Sequence, residues 1–124
     1  MTKRVQGVLV AQMAHTPEEE SEFRAWYSLH AREALDLPGV LGVRRYRLAD
    51  VQAPGVPGPS GEWFAIYDIV GDPQQIIDEI RRRRADGKWQ PRKGVNEASM
   101  RMWFYDALDL DGNPLSPPAC DNSN

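Results

Sequence analysis

The chain has 124 residues, 41% of them hydrophobic and 27% charged, with a formal net charge of −3. That length suits one domain with a single core, and the composition is that of an ordinary globular protein. The mild negative charge argues against bulk attraction to nucleic acid or anionic membrane, and no apolar run approaches the roughly 20 residues that cross a bilayer.

The N-terminus, MTKRVQGVLVAQMAHT, has a short apolar run that Gln6 and Gln12 interrupt, with no small-residue cleavage site after it. It reads as a strand from Arg4 to Met13, not as a signal peptide. Thr16-Pro17-Glu18-Glu19 reads as a helix start, with Thr16 as the cap, Pro17 in the first turn and Glu19 completing a capping box. This helix is expected to run to Leu35 or Asp36, because the residue before Pro38 is disfavoured in helical geometry. Gly39 then turns the chain into a second strand, Val40 to Leu48, with Gly42, Arg44, Tyr46 and Leu48 on one face and Leu41, Val43, Arg45 and Arg47 on the other.

Residues Ala49 to Gly61 contain three prolines and three glycines and read as a loop. Trp63 to Val70 is a third strand, apolar on both faces. Asp72-Pro73 caps a second helix, with Ile76, Ile77 and Ile80 on one side, that ends at Ala85 before Gly87. Gly87 to Ala98 reads as irregular, and Ser99 to Leu108 as a fourth strand. The domain thus covers residues 1–108, and 109–124 form a mostly irregular tail. The lone Cys120 lies in that tail without a disulfide partner, which points to a reducing, cytoplasmic setting.

The order β-α-β-β-α-β predicts an α+β, ferredoxin-like fold: a four-stranded antiparallel sheet with two helices on one face. The other face also carries apolar residues, such as Phe64 and Ile66 opposite Ala65 and Tyr67. A second copy of the chain is the simplest cover, so a homodimer is expected.

On the first helix Phe23, Trp26, Tyr27, His30 and Ala34 fall at i, i+3, i+4, i+7 and i+11, which is one face. A single imidazole therefore sits in an apolar, aromatic stripe. It must find a partner or line a cavity, because an unpaired buried polar group costs about 1–3 kcal/mol. As a site, it is a neutral acid/base group in an aromatic pocket; as a structural feature, it is a core or interface histidine bonded to backbone or to a tyrosine.

Trp26-Tyr27, His30, Leu37-Pro38-Gly39 and Arg45-Tyr46 together resemble the dimeric α+β barrel superfamily and, more narrowly, its EthD-like group. The resemblance implies a cofactor-free enzyme with a pocket between sheet and helices and a histidine serving as acid or base. Similar proteins include cyclases, decarboxylases, dehydratases, an isomerase and quinone-forming monooxygenases. Carried over by position, it marks His30, Trp26, Tyr27, Arg45 and Tyr46. Leu29 stands where the group often has an acidic residue, which removes one partner for the imidazole.

The expected site therefore has His30 as general acid or base and Tyr46, with Arg45, holding an oxygen where charge develops. Trp26, Tyr27, Trp63, Tyr67 and Asp68 are expected around the substrate, a planar carbonyl-bearing molecule. Asp68 either orients His30 or pairs with Arg44 or Arg45, and an ion pair is the plainer reading. The expected reaction is cyclisation, dehydration, isomerisation or decarboxylation without a cofactor. The alternatives are a non-catalytic binding or accessory protein, and a cofactor-free monooxygenase. Residues 81–93 are rich in Arg and Lys and read as a solvated helix end or as a docking patch for an acidic partner. No metal site is expected, since the two histidines flank the first helix and Asp109 to Asn113 fails as a calcium loop. Neither a phosphate loop nor a dinucleotide fingerprint occurs.

Overall fold

The computed structural model describes residues 5–116. The elements are β1 (Val5–His15), α1 (Glu20–Leu35), β2 (Val40–Arg47), β3 (Trp63–Gly71), α2 (Pro73–Ala85) and β4 (Val95–Asp106). The strands form one antiparallel sheet in the order β2-β3-β1-β4. This is the expected ferredoxin-like α+β arrangement. Among the described residues no helix is long and apolar enough to cross a membrane.

Strand alternation decides what the core is made of. Leu9 and Met13 of β1 and Trp63, Ala65, Tyr67 and Ile69 of β3 point to one face and are buried there. Phe23, Trp26, Tyr27 and Ala34 of α1 pack onto them, joined by Ile76 of α2. Both helices thus cover the same face. The opposite face holds Val8, Val10, Phe64 and Ile66, flanked by Trp103 and Tyr105 of β4; the end of the 49–61 loop reaches its edge, where Pro59 borders a hollow with Phe64 and the Ser60 hydroxyl donates to the Gln12 side chain.

The first helix begins later than the sequence suggested. Thr16 does not cap it: Glu19 N–H donates to the Thr16 carbonyl at 3.1 Å, closing a tight turn in which Glu18 has φ 74°. Thr16 N–H donates to the Gly94 carbonyl at 2.7 Å, so this residue ties the turn to the chain before β4. Glu19 takes the cap position and makes no side-chain cap bond. The second helix starts as read, with the Asp72 carboxylate accepting from Gln74 N–H at 3.0 Å.

β4 begins at Val95, four residues before the expected start, because β1 runs on to His15 and offers Ala14 and His15 as ladder partners to Asn96 and Val95. A bulge between Gln12 and Ala14 adjusts the register there. Gly39 has φ 89°, and a side chain there would lie 2.7 Å from the Val70 carbonyl. Val70 N–H bonds the Gly39 carbonyl at 2.8 Å, so this glycine lets β2 start close against β3. After β4 the chain turns back: Leu108 bridges Pro114, and the Asp109 carboxylate accepts from the N–H groups of Asp111 and Asn113. Those bonds hold the Asp109 carboxyl below its ordinary range. Arg4 and Cys120 lie outside the described residues.

Candidate functional site

His30 points into the fold. Its ring stacks on Trp26 with centroids 4.8 Å apart and planes 16° apart, and it meets Trp89 edge-on at 5.2 Å. Its side chain is 16% exposed. A cavity of about 50 Å³ lies beside it, lined by Leu9, Ala11, Tyr67, Ile80, Arg84 and Met102 among others. The floor is sheet, the near wall is α1, and α2 with Trp89 forms the roof.

The imidazole has a carboxylate neighbour that the sequence reading did not find. Glu33 lies one turn further along α1, and its Oε1 is 3.7 Å from His30 Nδ1. The other oxygen of Glu33 accepts from Gln90 N–H at 2.9 Å, while Oε1 is buried without a hydrogen-bond partner among the described residues. Position 29 is leucine, so the acid comes from the following turn instead. The signal was the i, i+3 spacing, which puts two helix side chains side by side.

Burial pushes the His30 pKa down to about 4, and the Arg84 and Arg92 guanidiniums push in the same direction. Glu33 is placed to pair with a protonated ring, but desolvation and two cations outweigh it. The imidazole is therefore neutral at physiological pH. The Tyr67 phenol is raised to about 12, chiefly by burial, and burial raises the Tyr27 phenol further still. Both phenols are proton donors, not phenolates, near neutrality.

Tyr46 and Asp68 do not join this group. Tyr46 pairs with Phe64 across β2 and β3, and Asp68 with Gly42. These positions alternate with Arg45 and Tyr67, so their side chains project from the face away from the helices. Tyr46 is 49% exposed, and its ring lies 6.4 Å from that of Phe64. The expectation that Tyr46 and Arg45 hold one oxygen beside His30 is corrected by the period of the strand, which sends adjacent residues to opposite faces. Asp68 pairs with Arg44 at 3.2 Å and does not orient His30.

Arg45 and Trp63 belong to a second hollow, at the edge between α1 and β2. It has a volume of about 230 Å³ and is lined by Arg24, Tyr27, Ser28, Arg45, Tyr46, Arg47 and Trp63. The Arg45 guanidinium lies 5.1 Å over the Tyr27 ring, and those of Arg24 and Arg47 lie 5.6 and 6.0 Å over Trp63. Trp63 is fixed by its indole N–H, which donates to His15 Nδ1 at 3.1 Å. The Tyr27 hydroxyl is buried and has no partner among the described residues. Of the expected site, then, His30, Trp26 and Tyr67 come together, Tyr27, Arg45 and Trp63 form a neighbouring cleft, and Tyr46 and Asp68 project from the other face.

Comparison with known protein families, with characterised proteins and with solved structures returns no match. The coordinates establish the ferredoxin-like α+β fold, and the chemistry must be argued from the residues.

Three cations of the basic segment, Arg82, Arg83 and Arg92, are paired with carboxylates. Arg82 and Arg83 bond Glu79, Arg83 reaches Asp36 at 3.0 Å, and Arg92 reaches Glu97 at 3.4 Å. Arg84 instead lies 5.2 Å over Trp89, half-buried beside the His30 cavity. Among the described residues no three His, Cys, Asp or Glu side chains gather as a metal site would require.

Proposed function

We propose that the chain is a cofactor-independent enzyme that moves a proton at a carbon next to a carbonyl, with His30 as the acid/base group. The observation that carries this reading is one neutral imidazole, walled by Trp26 and Trp89, facing a void and backed by a buried carboxylate. Nδ1 faces Glu33, which leaves Nε2 for the guest. As Nε2 takes a proton from the substrate carbon, positive charge develops on the ring, and Glu33 lies where it stabilises that charge. A base with a conjugate acid near pH 4 removes only an acidified proton, so the substrate carbonyl needs help. Tyr67 and Arg84 border the same void and supply a phenol and a cation for the developing enolate. They take the role that the sequence reading gave to Tyr46 and Arg45.

The substrate class is a small planar carbonyl compound of a catabolic or secondary-metabolite route in the cytoplasm. The cavity of about 50 Å³ is well short of the roughly 150 Å³ that holds a benzene molecule. A ring therefore enters only when flexible wall side chains such as Met102 and Arg84 swing aside. The outcome of proton transfer is isomerisation, dehydration, cyclisation or decarboxylation, as in the dimeric α+β barrel proteins that the WY–H–LPG–RY motif resembles.

The test is solvent-deuterium uptake at the α-carbon of aromatic β-keto compounds, followed by NMR. The native chain is expected to accelerate uptake, and His30→Gln to lose about 10²–10⁴ of that rate with an unchanged circular dichroism spectrum. Full exchange activity in the variant ends the acid/base assignment. The low basicity of His30 favours a second reading, a non-catalytic pocket for an apolar ligand. Saturable binding with no exchange by the native chain selects it.

The open sheet face completes the proposal. Phe64 and Ile66, with Trp103 41% and Tyr105 54% exposed beside them, form an apolar surface that a second copy would bury. Sedimentation is expected to give twice the 14.0 kDa chain mass. A monomer mass at all concentrations removes the homodimer.

A further inference from the structure

We infer that the cleft between α1 and β2 binds a phosphorylated small molecule, with the phosphoryl group between Arg45 and Arg47. This rests on residues outside the His30 cavity and is independent of the reaction assigned there.

The chain carries a net charge of −3, yet three guanidiniums converge on one hollow of about 230 Å³. Arg45 and Arg47 are alternate residues of β2, opposite Ala65 and Trp63, so they rise from the sheet on the same side. Arg24 comes to meet them from α1. It shares its charge with Glu20 at 3.2 Å. Among the described residues neither Arg45 nor Arg47 has a carboxylate partner; Arg45 has only a long contact to the Ser28 hydroxyl, at 3.5 Å. Two uncompensated cations fit a dianion better than a carboxylate, and a guanidinium fork is suited to two oxygens of one phosphoryl group.

The cleft is also preorganised. Each guanidinium already lies on an aromatic face, Arg45 on Tyr27 and Arg47 on Trp63, which limits where its N–H groups point. Trp63 is held in turn by its bond to His15. The Tyr27 ring lines the cleft, and its hydroxyl is buried without a partner among the described residues.

The test is calorimetric titration of the full chain with phenyl phosphate, inorganic phosphate and benzoate at low ionic strength. Phenyl phosphate and inorganic phosphate are expected to bind saturably, and both more tightly than benzoate. Arg45→Gln and Arg47→Gln are each expected to weaken both about tenfold, while Arg47→Lys, which keeps the charge, retains part of the affinity. Arg81→Gln, an exposed change on α2, serves as the control for diffuse charge and should leave binding unchanged. The inference is overturned if benzoate binds as tightly as phenyl phosphate, if Arg81→Gln weakens binding as much as Arg47→Gln, or if no saturable binding occurs. The Arg47→Lys variant keeps the question open to measurement should a glutamine variant fail to fold.

Discussion

Phe23→Ala is expected to lower the unfolding free energy by about 3–5 kcal/mol, read as a fall in the urea midpoint at unchanged slope. The ring is 0% exposed and sits at the centre of the aromatic layer under α1. Tyr27 lies 5.1 Å from it, Trp63 5.3 Å, His15 5.9 Å and Trp26 6.2 Å, centroid to centroid. These neighbours are rigid and tied to three different elements, so they cannot close over the space left behind. Backbone hems the site in as well: a side chain at Gly94, where φ is 69°, would lie 2.9 Å from Phe23 N. A hole that cannot collapse keeps its full cost. Domains of this size have about 5–15 kcal/mol in total, so the variant should be near its unfolding threshold at body temperature. A loss below about 1 kcal/mol would mean that the aromatic layer is not packed as described.

The second large effect is a loss of stability on acidification that depends on His30. The folded imidazole titrates at about 4 and the ordinary value is 6.5. Between those values the unfolded chain binds a proton that the folded chain refuses, so stability rises with pH across the window. It is complete above pH 6.5 and drains away as the pH falls towards 4, by up to about 3 kcal/mol. The groups facing the ring set the size of this effect. Arg84 and Arg92 oppose its protonation, and Glu33, 3.7 Å away, favours it. Other carboxylates also titrate below pH 5, so the quantity to measure is the difference between the native chain and His30→Gln. The variant should lose less stability on going from pH 7 to pH 4.5. Parallel stability curves would show that the ring is not held neutral by its surroundings.

The elements that could be read from the sequence are those with a local physical signature. Asp72-Pro73 stops one strand and starts α2 through a side-chain bond that any Asp before a proline can make, and the structure has it. The stripe Phe23, Trp26, Tyr27, His30 and Ala34 is a matter of angle around one helix, and it faces inward as read. What escaped the sequence depends on partners far along the chain. Thr16 looked like a cap because its neighbours are helix starters, but its N–H goes to Gly94, 78 residues away, and the turn that results delays α1. Residues 95–98 looked irregular because Asn, Glu and Ala favour no strand, yet β1 supplies the ladder that orders them.

The site was legible in the same way. His30 and Trp26 share a helix face, so their stacking follows from spacing. Glu33 was equally legible by spacing, since i and i+3 lie side by side on a helix. The placement of Tyr46 beside His30 failed for a reason available in the sequence, since adjacent strand residues project from opposite faces of the sheet. The three-arginine cleft needed the structure. Arg24 meets Arg45 and Arg47 only because α1 packs along the edge strand, and nothing in the local sequence fixes which helix side chains face that edge.

The two helices are not equally anchored. α1 presses five buried side chains into the core, whereas α2 contributes Ile76 and the partly buried Ile80 and is otherwise fastened at its rim, by Arg83 to Asp36 and by Arg84 resting on Trp89. The roof over His30 is thus the part of the shell with the least holding it down. A guest too bulky for the closed chamber would find its doorway there, and substitutions that bolt α2 more firmly to the sheet would make a sturdier protein that admits visitors more slowly.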